Sequence, residues 1–224
     1  MVHKSRFRDY FESAIVAVVF ALFVRTFVIQ AFKIPSGSME DNLLVGDHIL
    51  VNKLIYAPPT GIFLDRLLPY RQVRHSEVVV FKFPVEPERD FIKRTIGLPT
   101  DLIRIDKQKV FRNDKLLEEP YTFYKPPPPI NAAEAHLRDQ NRTRVPEGYY
   151  FMLGDNRNNS QDSRYWKCVP GTHIKGRALL IYWSFQAREG THTLQGTDKV
   201  KEFFYVVTRF FHKSRWRRTF KLIR

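Results

Sequence analysis

The stretch Ile34–Leu54, IPSGSMEDNLLVGDHILVNKL, decides how the chain is read. It opens on a Ser36-Gly37-Ser38 turn and passes into Val45–Leu54 (VGDHILVNKL), rich in β-branched and apolar residues and opened by a Val-Gly-Asp turn. The turn lies where a long apolar run ends and strand-like sequence begins.

Upstream, Ser13–Phe32 reads SAIVAVVFALFVRTFVIQAF. Twenty helical residues reach about 30 Å, the thickness of a bilayer's hydrocarbon core. Arg25 is the segment's single charge and lies toward its C-terminal end, where a long side chain snorkels to the interface. The bulky Gln30-Ala31-Phe32-Lys33-Ile34 that follows offers no small-residue cleavage site, so the segment is expected to be an uncleaved anchor. His3, Lys4, Arg6 and Arg8 precede it, which places residues 1–12 in the cytoplasm and residue 33 onward outside.

The chain has 224 residues and a formal charge of +14. Such a charge first suggests nucleic acid. Here the cations gather at the two ends: Lys199–Arg224 holds nine Lys/Arg against one Glu. Basic ends beside apolar runs suit anionic lipid, so a bilayer and not nucleic acid is the expected partner. The single cysteine, Cys168, excludes an intrachain disulfide and a cysteine-based metal site.

After the anchor, strand patterns dominate. Glu77–Phe83 (EVVVFKF), Asp101–Phe111 (two strands around a turn), Gly148–Leu153 and Gly176–Phe185 all read as strands, and Asn113-Asp114-Lys115 as a turn. The expected fold is mostly β: an antiparallel sheet or partial barrel over residues 33–197, preceded by one transmembrane helix over 13–32. A peripheral β excursion is expected at about 106–147, including the extended run Pro126–Pro129. Residues 198–224 form a basic amphipathic tail. Its apolar set (Phe203, Phe204, Tyr205, Val206, Val207, Phe210 and Phe211) is expected either to meet lipid or to pack on the domain.

A nucleophilic serine needs a base. None of the seven histidines lies in a motif-like setting, so a Ser-His-Asp triad is not supported. Lys93, in Phe91-Ile92-Lys93-Arg94, has bulky apolar neighbours whose burial would lower its pKa. The other reading of Lys93 is a solvated cation at a strand end. A third cluster, Gly154–Arg164 (GDNRNNSQDSR), sets Asp155 and Asp162 against Arg157 and Arg164, a candidate charge network to brace a site.

Taken in order, IPSGSM after an anchor, GDHILVNK, VVVFKFP, FIKRTIGLP and GDNRNNSQDSRYW resemble the bacterial type I signal peptidase (leader peptidase) family, and the blocks cover most of residues 25–100 and 147–185. The resemblance implies a serine endopeptidase with Ser38 as nucleophile and Lys93 as general base. It implies an oxyanion hole of the Ser36 hydroxyl and the Ser38 backbone N–H, with Ser160 orienting the lysine. Arg94, Asp155, Asp162 and Arg164 match the supporting polar network. Ile34, Met39, Leu43, Val80, Phe91 and Ile92 match positions lining small P1 and P3 pockets. It further implies preprotein signal peptides as substrates, a functional link to the export machinery, a single-pass place in the bacterial inner membrane, and no metal or other cofactor. Two departures concern turns: the family's Arg-Gly-Asp is His75-Ser76-Glu77 here, and the Gly of its usual GLPGD is Thr100.

Two other readings fit parts of the sequence. A self-cleaving repressor-type serine/lysine protease has a similar β domain, but would carry a DNA-binding domain where residues 1–33 read as an anchor. A catalytically inactive membrane-anchored interaction module would not need the full set of motif side chains.

Overall fold

A computed structural model describes residues 6–56, 70–106, 108–124, 142–186 and 197–224. His3, Lys4 and the proline run Pro126–Pro129 lie outside the described residues.

An N-terminal helix, Arg6–Phe23, continues through a π-helical turn, Val24–Val28, and none of its residues is buried. The helical span is therefore 23 residues, Arg6–Val28, long and apolar enough to cross a membrane. It starts earlier and stops sooner than the expected 13–32. The reason for the early stop is pairing: Ile29–Lys33 forms strand β1, which runs antiparallel to β2 (Asp47–Asn52) from Ile29↔Asn52 to Lys33↔His48. The β-branched residues around Val28-Ile29 suit a strand at least as well as a helix, and β2 offers an edge to pair with.

The main sheet is antiparallel throughout and runs β1-β2-β11-β3-β4-β9-β10. Its further strands are β3 (Val78–Lys82), β4 (Asp90–Gly97), β9 (Tyr149–Leu153), β10 (Val169–Pro170) and β11 (Ile174–Ser184). The long β11 pairs β3 over its first half and β2 over its second, with bulges between Ala178 and Leu180 and between Ile181 and Trp183. Bulges bend and twist a strand, and here they let one strand bridge two parts of a curled sheet. A short C-terminal strand, β12 (Lys221–Leu222), pairs β11 at Ile181 and Leu180. The fold is thus the mostly β, curled antiparallel sheet that the strand patterns predict.

A second sheet, β7-β6-β5-β8, contains β5 (Leu102–Asp106), β6 (Lys109–Arg112), β7 (Lys115–Leu116) and β8 (Thr143–Arg144). It begins at Leu102, a few residues before the expected excursion. Asn113 and Asp114 both have positive φ, 52° and 63°, and close the β6–β7 hairpin as the sequence predicts. Three apolar clusters hold the sheets together; one gathers Ile34, Met39, Leu43, Ile49, Val51, Val78, Val80, Ala178, Ile181 and Ile223.

The two departures from the family pattern fall on strained backbone. Asp101 N donates to Leu98 O and Glu77 N to Arg74 O, closing turns whose third residues are Thr100 (φ 71°) and Ser76 (φ 68°). A turn with positive φ at this position favours glycine. A non-glycine residue there costs about 1–2 kcal/mol, against which glycine's greater unfolded-state freedom sets about 0.5–1 kcal/mol. Thr100→Gly is therefore expected to stabilise the fold by about 0.5–1 kcal/mol, the difference of those two effects. Urea denaturation checks this: a midpoint unchanged or lowered by the substitution means that the turn relaxes without strain.

Candidate active site

Ser38 lies in a short 3₁₀ turn, Gly37–Met39, immediately after β1. Its N–H belongs to the opening of that turn, where the turn itself offers no acceptor. The turn is pinned from a distance: Asn156 N donates to Ser38 O (3.1 Å) and Asn156 Nδ2 to Gly37 O (3.1 Å). Gly154 makes that approach possible, because a Cβ there would meet Ser38 O at 2.6 Å and Ser160 Oγ at 2.1 Å.

Lys93 comes from the middle of β4. Its side chain is buried, 3% exposed, and Nζ lies 2.6 Å from Ser38 Oγ and 3.0 Å from Ile92 O. Burial lowers its pKa to about 8, although Asp162 and Asp155 pull the other way. At that pKa roughly one molecule in ten holds the amine neutral at pH 7. Lys93 is therefore no solvated cation at a strand end.

The next residue, Arg94, points to the opposite face of β4, as strand alternation requires. Nε and Nη2 donate to the two carboxylate oxygens of Asp155 at 2.8 and 2.7 Å, in a fully buried pair. Nη1 donates to Ser76 O (2.7 Å) and Arg224 O (2.8 Å), and the guanidinium stacks 4.0 Å over the Tyr121 ring. Asp155 Oδ2 also accepts from Asn42 Nδ2 at 2.8 Å.

Asp162 caps the helical turn Ser163–Trp166. Its carboxylate accepts from Arg164 Nε and Nη2, each at 2.8 Å, and from Gly154 N at 3.1 Å. Despite complete burial, Arg164 and these hydrogen bonds hold its pKa below the usual carboxylate value.

The expected network of Asp155 and Asp162 with Arg157 and Arg164 is thus re-partnered. Within that set Asp162 pairs Arg164, while Asp155 takes Arg94 and Arg157 pairs in the interior with Glu119. Tyr121 and Glu119 lie in a stretch with no local signal, and Asn42, inside the Ile34–Leu54 stretch, gives none of its own that it reaches Asp155. Gly154 and Asn156 lay inside the quoted polar run, but only the fold shows their contact with the Ser38 turn.

A cleft of about 490 Å³ opens beside the Ser38–Lys93 pair, lined by Ser36, Ser38, Phe91, Ile92, Lys93 and Gln161 among others. Ser36 is exposed on it. Ile34, Met39, Leu43 and Val80 instead lie in the buried cluster against which Ile92 packs. Ser160 is buried and makes no hydrogen bond to Lys93; its hydroxyl adds to the effect of Arg164 in holding the Asp162 carboxyl low. Among the described residues no histidine lines the cleft; His48 stacks on Trp183 at 4.7 Å. Strand β4 pairs β9 only from Arg94 onward, so the edge of Phe91–Lys93 on that side has no strand partner among the described residues.

The family described as "Signal peptidase, peptidase S26" matches residues 7–183. A signal peptidase I of Pseudomonas aeruginosa is 35% identical over 208 residues, covering 79% of this chain and 72% of its own. One from Aquifex aeolicus is 35% identical over 218 residues, covering 75% and 80%. A probable signal peptidase I-2 of Synechocystis is 37% identical over 178 residues, covering 77% and 71%. A crystal structure of a signal peptidase I from Enterococcus faecalis V583 matches 48% of this chain and 97% of that one, at 27% identity and a TM-score of 0.38. The residues quoted for the resemblance, the curled β-fold and the matched 177-residue span of the family lead to one conclusion: the chain belongs to the signal peptidase family, peptidase S26, and is a protease.

Proposed function

We propose that this protein is a membrane-anchored endopeptidase that removes signal peptides from exported preproteins, with Ser38 as nucleophile and Lys93 as general base. The observation that carries the reading is the buried amine of Lys93, 2.6 Å from Ser38 Oγ. Neutral Lys93 takes the Ser38 proton as Oγ attacks the carbonyl carbon of P1. The Ser36 hydroxyl and Ser38 N–H receive the developing oxyanion. The tetrahedral species collapses as Lys93 returns the proton to the leaving amine, giving an ester on Ser38. Lys93 then takes a proton from water as the water oxygen attacks the ester, and returns it to Ser38 Oγ as the acyl C–O bond breaks, which releases the acid product and regenerates the serine. The chemistry calls for no metal or cofactor.

The unpartnered edge of Phe91–Lys93 supports an extended substrate that adds a strand there. The cleft walls of Phe91 and Ile92 support a preference for small apolar P1 and P3 side chains. The apolar span Arg6–Val28 supports attachment to the bacterial inner membrane beside the export machinery, with the N-terminus cytoplasmic and the protease outside.

Arginine keeps the charge of lysine but stays protonated in proteins. Lys93→Arg is expected to be as inactive as Lys93→Ala on a fluorogenic signal-peptide substrate. The wild-type rate should rise with pH through an apparent pKa of about 8, because the active form is the deprotonated one. Appreciable turnover by folded Lys93→Arg would end the serine/lysine mechanism.

Ser36→Ala removes one oxyanion donor and should lower kcat by about a hundredfold or more, with KM nearly unchanged. An unaltered kcat would take Ser36 out of the mechanism.

Orientation is checked separately. A phosphatase that matures only outside the cytoplasm, fused after Arg224, should be active. Silence there, with activity of a cytoplasmic reporter at the same point, would reverse the topology.

A further inference from the structure

The C-terminal helix Thr197–Lys213 has two dissimilar sides. One is docked: Tyr205 meets Phe185 at 6.1 Å, and Phe210 meets Trp183 at 5.5 Å. Trp183 Nε1 donates to Ser214 Oγ (2.9 Å), and Arg215 N to Ser184 O (2.8 Å). The helix is therefore fixed on the end of β11.

The other side is apolar and open. Phe203, Val207 and Phe211 follow each other at four-residue steps, and Phe204 lies beside them within an arc of about 100°. Phe203 is 64% exposed, Phe204 61% and Phe211 77%. Trp216 extends this surface: its ring stacks on Phe211, and its Nε1 donates to Phe211 O at 3.1 Å. The exposed cation Arg217 adjoins Trp216 in the chain.

We propose that this face is an interfacial membrane-binding surface, which buries its aromatic side chains at the headgroup level of an anionic bilayer. The proposal rests on the reading of Arg6–Val28 as a membrane span. Three features select lipid. At 17 residues and with its other side docked on the sheet, the helix lies along an interface and does not cross. The aromatic row with a tryptophan at its end is the composition of the membrane–water boundary. Arg217 beside the aromatic row, on a chain of net charge +14, complements anionic headgroups and opposes a second copy of the same surface.

Strand β2 links the two attachments. Its Asn52 pairs Ile29, where the span ends, and its Asp47 pairs Ser184, next to the docked helix. Six residues of strand separate them by roughly 17 Å. Two attachments at that spacing restrict the tilt of the sheet, and with it the height of the cleft above the lipid.

The test uses the full chain in phosphatidylcholine vesicles with and without phosphatidylglycerol. In a Cys168→Ser background, Val207→Cys, Val18→Cys and Leu116→Cys each carry an environment-sensitive fluorophore, and nitroxide-labelled lipid is the quencher. Position 18 reports the span, position 116 a strand of the small sheet, and position 207 the proposed surface. Phe203→Cys serves as a second reporter should Val207→Cys fold poorly. Quenching at 207 should exceed that at 116 several-fold and increase with phosphatidylglycerol. Arg217→Gln should lower the bound-to-free ratio of the helix by about fivefold. Quenching at 18 with none at 207 beyond that at 116 overturns the proposal and leaves the span standing. Quenching at 207 without quenching at 18 upholds the surface and removes the span. Quenching at neither removes both.

Discussion

The buried guanidinium of Arg94 is the constraint on which the rest of the architecture depends. It joins the β9–Asp155 strand end, the Ser76 turn, the C-terminal Arg224 and the Tyr121 ring at one point, one residue from Lys93. Each of these contacts answers a donor or a face of the guanidinium. Removing one partner of such a pair leaves an uncompensated buried charge, at a cost of about 3–5 kcal/mol. Through Asp155 and Asn42 the same centre reaches the segment after Ser38. The strand that carries Lys93 on one face is thus anchored by a fully bonded cation on the other.

Two opposed demands meet at Lys93. Removal from water lowers its proton affinity, whereas a carboxylate nearby raises it. Asp155 and Asp162 both lie close enough to be felt, yet each is bidentate to an arginine. That pairing blunts the carboxylate fields, and desolvation prevails. The polar cluster therefore does more than brace the Gly154–Arg164 loop: Arg164 offsets part of the pull by which the two carboxylates raise the amine's proton affinity.

Much of this was legible beforehand, and the gaps have physical causes. Val78–Lys82, Tyr149–Leu153 and Ile174–Ser184 were visible because half-buried and buried strands carry β-branched and aromatic runs. The extent of β4 was not, since Asp90–Gly97 sets Lys93 and Arg94 side by side and buries both. No local pattern announces an interior strand with adjacent cations inside; only their partners, found far away in the chain, make it stable. Strand β1 was hidden for a related reason. Ile29–Lys33 continues an apolar helical run, and nothing in those five residues says that β2 will compete for their backbone. Individual site residues were marked by their order along the chain, whereas who pairs with whom, as Arg157 with Glu119 shows, required the fold. The Ser76 and Thr100 turns show the converse: a departure noticed in the sequence coincides with left-handed backbone in the structure.

The grip of Asn156 on the Ser38 turn has a consequence for biosynthesis. The two contacting residues, Gly37 and Asn156, are 119 positions apart. Strand β2, which follows the turn, completes its pairing only with β11. Contacts of such long sequence separation form late, because the intervening loop must close before they contribute. A nascent chain therefore presents its apolar N-terminal segment long before the serine turn has anything to hold it. While the chain is still being made, the Ser38 turn lacks the Asn156 contacts that fix it in the completed fold.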